Sequence, residues 1–352
     1  MSIKTVELHL LQSFPPSCVN RDGNNSPKDC IFGDVRRARI SSQCLKRAIR
    51  QAESFSETLG EETANRSKQM RDRKLIPYLL SQGLNQEDAE EAADAFRKEL
   101  AKDDKKPAQT SVGLYFGDKE LFALLDAHRS GDPKWKQKGA RKSADVALFG
   151  RMLAEATDLS VDAASQVAHA ISTHRLSQEM DYWTAADDLK SVAEEDAGAG
   201  MLGTSEFNAS IFYRYQCVSL PILRSNLNDD ELVKKTVEAF LVASFEAIPT
   251  GKLNGHAHFT PPYLALAVVR EKGMPLNLCN AFLKPAKATK DEALDENSAS
   301  KLLEHLAASR KMAPVDRATY ILAHQLPMAY SNDSVTVAEG YGGLVEKVVS
   351  LL

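Results

Sequence analysis

The stretch Cys18–Arg50, CVNRDGNNSPKDCIFGDVRRARISSQCLKRAIR, opens as a Gly/Asn/Pro loop and closes as a short helix. It carries Arg21, Lys28, Arg36, Arg37, Arg39, Lys46, Arg47 and Arg50 against only Asp22, Asp29 and Asp34, in a chain of formal net charge −4. The helix is expected from Ser42 to about Glu53, because Leu45, Ala48, Ile49 and Ala52 recur at helical spacing. Ser41 is the expected N-cap. With Ser42 and the open N–H groups of the first turn it offers an anion site. Lys46 and Arg50 stand at i and i+4 with Arg47 beside them, so three cations can follow adjacent phosphates. The competing reading is a solvated helix face paired with acidic segments elsewhere. Arg36, Arg37 and Arg39 weigh toward phosphates, since three cations in four residues are costly to place without anionic partners.

Outward from this stretch the chain reads as a mixed α+β protein. Residues 5–11, TVELHLL, alternate Val6, Leu8 and Leu10 with Glu7 and His9, the pattern of a half-buried strand. From about Thr63 to Leu148 the composition turns to Glu, Lys, Ala and Gln with helical periodicity, and Pro107 and several glycines break it into pieces. Residues 166–176 and 210–220 read as strands, 229–248 as an amphipathic helix and 263–270 as a final strand. The last eighty residues or so read as helix and loop, with a basic cluster at Lys284, Lys287 and Lys290. Without the insertions the order is strand, helix, strand, strand, helix, strand. That is the split βαβ, ferredoxin-like order found in RNA-recognition domains.

Composition narrows the function. At 352 residues with 43% hydrophobic and 26% charged content, the chain suits a globular protein of two or three packing units. No apolar run reaches the length of a membrane span, and the N-terminus lacks a signal-peptide pattern, so a cytoplasmic location and no membrane partner are expected. Cys18, Cys30, Cys44, Cys217 and Cys279 are scattered, which argues against a disulfide framework or metal site. The chain shows no P-loop, Rossmann glycine pattern, GxSxG or HExxH. No cofactor, metal or catalytic residue is expected. His169, His174, His256 and His258 read as structural, while Asp22 and Asp29 are the candidates if a metal sat beside a phosphodiester.

Two further stretches admit both a functional and a packing role. KWKQKGARK (134–142) sets Trp135 among Lys134, Lys136, Lys138, Arg141 and Lys142, a pattern for single-strand contact or for a loop with one anchor. DYWTA (181–185) places two aromatics in a polar hairpin, either to staple it or to wedge against a base or a neighbouring subunit.

Several motifs occur in order along the chain: PSCVNRD (16–22), KDCIFG (28–33), RRARISSQCLKRAIR (36–50), ALFGRM (147–152), AHAISTH (168–174), DYWTAADDL (181–189), LGTSEF (202–207), FYRY (212–215) and NAF (280–282). Through them the chain resembles the CasC, Cas-seven-family backbone subunits of the type I-E CRISPR surveillance complex Cascade. The resemblance implies an RRM-like palm (1–59, 165–175 and 212–352), helical fingers (60–164) and a hairpin thumb (176–211). It implies copies, about six in the family, stacked head to tail on a crRNA guide that pairs with target DNA. Large, small, guide-5′-end and guide-processing subunits would complete the assembly. Guide contacts would fall on Asn20, Arg21, Lys28, Ser41, Gln43, Lys46, Arg47 and Arg50. Met152, Tyr182, Trp183 and Thr184 would lie at a base displaced at intervals of about six nucleotides. Lys134, Lys136, Lys138 and Lys142 lie in the region where family members approach target DNA. The rival expectation is a metal-dependent endoribonuclease subunit of a type III-like effector, using Asp29 or Asp22.

Overall fold

The computed structural model describes residues 4–106, 108–139, 141–185, 201–313, 315–326 and 335–352. Its strands are β1 (Thr5–Ser17), β2 (Asp29–Phe32), β3 (Val35–Ile40), β4 (Asn65–Ser67), β5 (Leu114–Phe116), β6 (Ser165–Val167), β7 (Ala170–Ser172), β8 (Glu179–Ala185), β9 (Met201–Ser219), β10 (Leu264–Lys272), β11 (Arg317–His324) and β12 (Val335–Val337). Its α-helices are α1 (Ser42–Gln51), α2 (Glu53–Leu59), α3 (Ile76–Ser81), α4 (Gln86–Leu100), α5 (Asp118–Arg129), α6 (Ala144–Phe149), α7 (Leu220–Leu227), α8 (Asp230–Glu246), α9 (Leu253–His256), α10 (Leu294–Met312) and α11 (Gly340–Ser350).

One ten-stranded sheet organises the molecule, in the order β12-β11-β10-β1-β9-β7-β3-β2, with β6 and β8 also paired to β9. Among the described strands, only the β11–β12 pair is parallel. The strand β1 lies between β9 and β10. Val6, Leu8 and Leu10 pack into a core with Leu45 and Ile49 of α1, Val237, Phe240 and Leu241 of α8, and Leu344 and Val348 of α11. Both α1 and α8 therefore lie on the same face of the sheet. The helix α8 begins where expected, with the Asp229 carboxylate accepting the Leu232 N–H at 2.9 Å.

The expectation of a half-buried first strand is corrected, because the second face of β1 is buried too. There α10 lays Ala299, Leu302, Leu303 and Leu306 over Leu11, Tyr213, Leu266 and Tyr320. The polar residues of that face are buried with partners. Arg270 Nε donates to Glu7 at 2.7 Å, the Leu276 N–H donates to the same carboxylate at 2.7 Å, and His9 Nδ1 lies 2.9 Å from the Tyr213 hydroxyl. Burial pushes the Glu7 carboxyl upward against the opposing pull of Arg270, and it drives His9 down to about 3.

Other expectations changed as well. The basic stretch is not a continuous loop: Asp29–Phe32 and Val35–Ile40 pair as a hairpin on the sheet edge. The strand expected over 166–176 divides into β6 and β7 around Ala168 and His169. The helix-and-loop reading of the C-terminal region missed β11, which pairs along most of β10. A second core, including Leu75, Leu79, Phe96, Phe116, Leu121, Leu125 and Leu159, belongs to the region between β3 and β6.

Arg37 shows how the sequence signal misled. Its side chain is 0% exposed and donates to the carbonyls of Phe32, Ser172, Thr173 and Phe282, at 3.2, 3.1, 2.8 and 2.6 Å. Arg36 pairs with Asp29, and Arg39 Nε donates to the Asp29 carbonyl at 3.1 Å. The RRAR cluster is thus partnered within the chain, and its weight toward phosphates is withdrawn. Gly33 permits the same junction. A Cβ there would lie 2.1 Å from the Leu283 carbonyl oxygen, and φ is +61°. An Arg37→Met variant leaves buried carbonyls unsatisfied and is expected to lose about 3 kcal/mol of stability in urea unfolding. A loss below about 1 kcal/mol would show that water replaces the guanidinium.

Candidate nucleic-acid interface

The start of α1 is held from outside the helix. Ser41 occupies the N-cap position with extended dihedrals (φ −72°, ψ 148°), yet its side chain makes no cap bond and its Oγ is buried without a partner. Instead Asn20 Oδ1 accepts the Ser41 N–H at 2.9 Å. His169 Nδ1 accepts the Ser42 N–H at 3.1 Å, and the Ser42 hydroxyl donates to the Val167 carbonyl at 2.6 Å. Of the expected anion site, Ser41 is therefore closed off from solvent, Ser42 is engaged internally, and Gln43 is exposed in the first turn.

Lys28, Lys46 and Arg47 gather beside this first turn. None makes an ion pair or side-chain hydrogen bond with the described residues. Burial holds the Lys46 ammonium below its ordinary value, and no carboxylate offsets that cost. Arg21 is exposed and donates to Asn25 Oδ1 at 2.6 Å, an interaction a phosphate can displace. Arg21 and Arg47 line a cleft of ≈ 790 Å³ together with Asn20, Gln51, Pro249 and Phe259 among others. Its far wall is fixed by Gly251, where a Cβ would lie 2.5 Å from the Val19 carbonyl oxygen. A second cleft of ≈ 630 Å³ shares Thr250 and Leu253 with the first and runs to the β8–β9 hairpin at Asp181, Trp183 and Phe207. Sequence reasoning missed Lys252 and Phe259, which line these clefts. The only signal was the Gly-containing loop PTGKLNGHAHFTPP.

Arg50 leaves the expected set. Its Nε lies 3.4 Å from the buried Asp145 carboxylate and its guanidinium sits 4.4 Å from the Tyr115 ring centre. Asp145 also accepts the Ala64 and Val146 N–H groups at 2.9 and 3.0 Å. Burial raises its carboxyl, and Tyr115 and Arg50 pull it back down. Arg50 therefore ties the last turn of α1 to β5 and α6, while Cys44, Arg47, Ala48 and Gln51 line the cleft on another side of the helix.

Met152 is 87% exposed between buried neighbours. Arg151 anchors it from one side, with a two-pronged pair to Glu120 at 2.8 and 2.8 Å, and Leu153 enters the second core. On the hairpin Tyr182, Trp183 and Thr184 pair with Thr204, Gly203 and Leu202. Trp183 lies across Gly203, where an added Cβ would meet its ring at 2.4 Å, yet the residue stays 42% exposed. It thus staples the hairpin and lines the second cleft. Residues 186–200, the far part of the expected thumb, lie outside the described residues.

The lysine-rich stretch resolves toward packing at its aromatic. Trp135 stacks edge-on against Phe96 and His128 at 5.5 and 5.2 Å. Lys136 lies over the Trp135 ring, Lys138 pairs with Asp132 at 3.7 Å, and Arg141 pairs with Glu62 and Asp229. Lys134 and Lys142 carry no such partner among the described residues. Asp22 accepts the Asn24 and Ser26 N–H groups at 2.8 and 3.0 Å and shapes the loop, while Asp29 is taken by Arg36. Among the described residues, no three His, Cys, Asp or Glu side chains gather at metal-binding distance.

Comparison with known proteins agrees with this geometry. A chain of a solved "CRISPR RNA-guided surveillance complex, pre-nicking" superposes with a TM-score of 0.83 at 29% identity, covering 99% of this chain and 99% of that one. A chain of a second "CRISPR RNA-guided surveillance complex" superposes with a TM-score of 0.67 at 26% identity, again covering 99% of each. No curated protein matches by sequence. The fold is thus that of a surveillance-complex subunit. Residues 6–339 match the CT1975-like protein family, and the chain belongs to it.

The division of the cations is measurable. Lys46→Ala and Arg47→Ala are each expected to reduce the slope of log affinity against log salt for single-stranded RNA by about 1. Arg50→Ala should leave that slope unchanged and lower the unfolding midpoint instead. A reduced slope in Arg50→Ala would place its guanidinium on a phosphate.

Proposed function

We propose that the chain is the repeating backbone subunit of a type I-E CRISPR surveillance complex, polymerising along a crRNA guide and presenting it for pairing with target DNA. The observation that carries this reading is the set of cations without ion-pair partners among the described residues, Lys28, Lys46 and Arg47, beside a helix start, within a fold shared end to end with surveillance-complex chains. Phosphate contacts position a strand without reading it, so sequence recognition passes to base pairing. The palm is taken as RRM-like. The strands β10-β1-β9-β7 follow one another antiparallel, and α1 and α8 lie on the face that carries the crossovers.

Head-to-tail stacking is a heterologous contact that does not close, so the RNA sets the filament's length. Tyr182 and Trp183 on the hairpin, with Met152 projecting from its anchored turn, supply apolar surfaces for a displaced base. The exposed Lys134 and the partly exposed Lys142 are the remaining candidates for target DNA. The subunit acts in the cytoplasm with the large, small and guide-processing subunits. It is a scaffold without catalysis: Asp22 and Asp29 serve the loop and Arg36, which speaks against the rival endoribonuclease reading.

The purified protein is expected to carry RNA of uniform length, and on an RNA of about 60 nucleotides it should elute as one multi-subunit species. Discrete monomers on that RNA would overturn the filament. Incubated with matched RNA and Mg²⁺, the assembled complex should leave the RNA intact; cleavage that disappears in Asp29→Ala would establish the enzyme instead. Trp183→Ala should disturb assembly more than it lowers the melting temperature of the isolated subunit. A large drop in that temperature would leave the ring as a staple alone.

A further inference from the structure

A histidine ring takes part in holding the start of α1. Ser41 sits where a cap belongs and does not cap. The first helical N–H, that of Ser42, goes instead to His169 Nδ1 at 3.1 Å. His169 lies at the break between β6 and β7, where the Ala168 N–H still bonds the Tyr215 carbonyl at 2.9 Å, so the ring is offered to α1 by the sheet itself. Arg39 Nη1 also approaches the same nitrogen, at 3.3 Å.

This arrangement fixes the tautomer. The Ser42 amide and the Arg39 guanidinium are both obligate donors, so Nδ1 must present its lone pair and the proton of the neutral ring resides on Nε2. An imidazolium would turn an N–H toward two other donors.

We propose that His169 is the positioning residue of the guide-binding helix: as a neutral imidazole it caps α1 from across the sheet and thereby sets Gln43, Lys46 and Arg47 for RNA phosphates. This rests on the guide-binding reading of α1. The ring is partly desolvated, and the charged groups that then act on it, Arg39 from β3 and Lys28 from the loop before β2, are both cationic. All three hold it below its ordinary value, so the cap is present at neutral pH. The sign follows. Acidification protonates Nδ1 and removes the cap, so RNA affinity falls as pH drops.

The test compares His169→Asn, whose side-chain oxygen accepts the same N–H at any pH, with His169→Ala, which accepts none. Affinity for single-stranded RNA is measured between about pH 7.5 and about pH 5, with amide exchange of residues 42–45 followed in the RNA-free protein. At neutral pH His169→Ala is expected to bind roughly five-fold more weakly, the equilibrium equivalent of a lost cap, and to exchange faster in that turn. His169→Asn should keep both properties and lose the extra acid sensitivity of the native chain. Tighter native binding at low pH, beyond that of His169→Asn, would make the imidazolium a phosphate ligand and overturn the proposal. So would equal exchange rates in all three proteins. If Lys46→Ala and Arg47→Ala leave RNA affinity unchanged, the guide-binding reading fails, and the exchange rates still judge the cap by themselves.

Discussion

The Arg37 guanidinium is the constraint on which the arrangement of this protein depends. It lies beneath β3, fully enclosed, with only carbonyl oxygens around it, and desolvation is the main force lowering its affinity for a proton. Those carbonyls come from three segments distant in sequence: the turn at Phe32, the end of β7 at Ser172 and Thr173, and the segment at Phe282. A buried charge is tolerated only when its donors are filled. The site therefore exists only if those segments meet in one register. The strand β3 runs directly from Arg37 into Ser41 and α1, so the helix start inherits its position from this buried cation.

A second constraint explains where the candidate interface lies. In many RNA-binding sheets the open face stacks bases. Here α10 covers that face, and residues that would stand in solvent, Glu7, His9 and Arg270, are paired within the core. The opposite face is covered by α1, α8 and α11. With both faces closed, the surface left for a strand is the rim: the first turns of α1, the loop before β2 and the loop around Gly251. Lys28, Lys46 and Arg47 occur on that rim without carboxylate partners among the described residues.

Much of the architecture was legible because short-range chemistry decides it. The helix α8 is bounded by Asp229 and keeps its apolar stripe, β10 opens with the unbroken apolar run Leu264–Val269, and the alternation of Thr5–Leu11 named one face of β1 correctly. What failed depends on contacts made far away in sequence. That Glu7 and His9 are buried required α10, almost three hundred residues later. Trp135 among its lysines looked like a stacking residue until Phe96 and His128 closed on it. The RRAR cluster looked like a phosphate grip because its partners are backbone carbonyls, which have no signature in sequence. The charge pattern pointed to the candidate interface, but it did not separate cations that hold the fold from cations without partners among the described residues.

The same separation runs along α1 itself. Arg47 lines the cleft and Lys46 has no ion pair among the described residues, whereas Arg50, near the end of the helix, closes on Asp145 and the Tyr115 ring. Asp145 in turn accepts the Ala64 amide, at the point where the chain enters the second core. One ten-residue helix thus reaches from the candidate interface to the edge of the second core. For the filament proposed above this would matter more than affinity. Each copy would have to present the next stretch of guide at a fixed rise, so the angle between α1 and the second core would have to be the same in every subunit. An arginine that closes on a buried carboxylate fixes that angle better than a third phosphate contact would, because a phosphate moves with the RNA. The Arg50–Asp145 pair therefore serves geometry, which is what the proposed repeating scaffold would require of it.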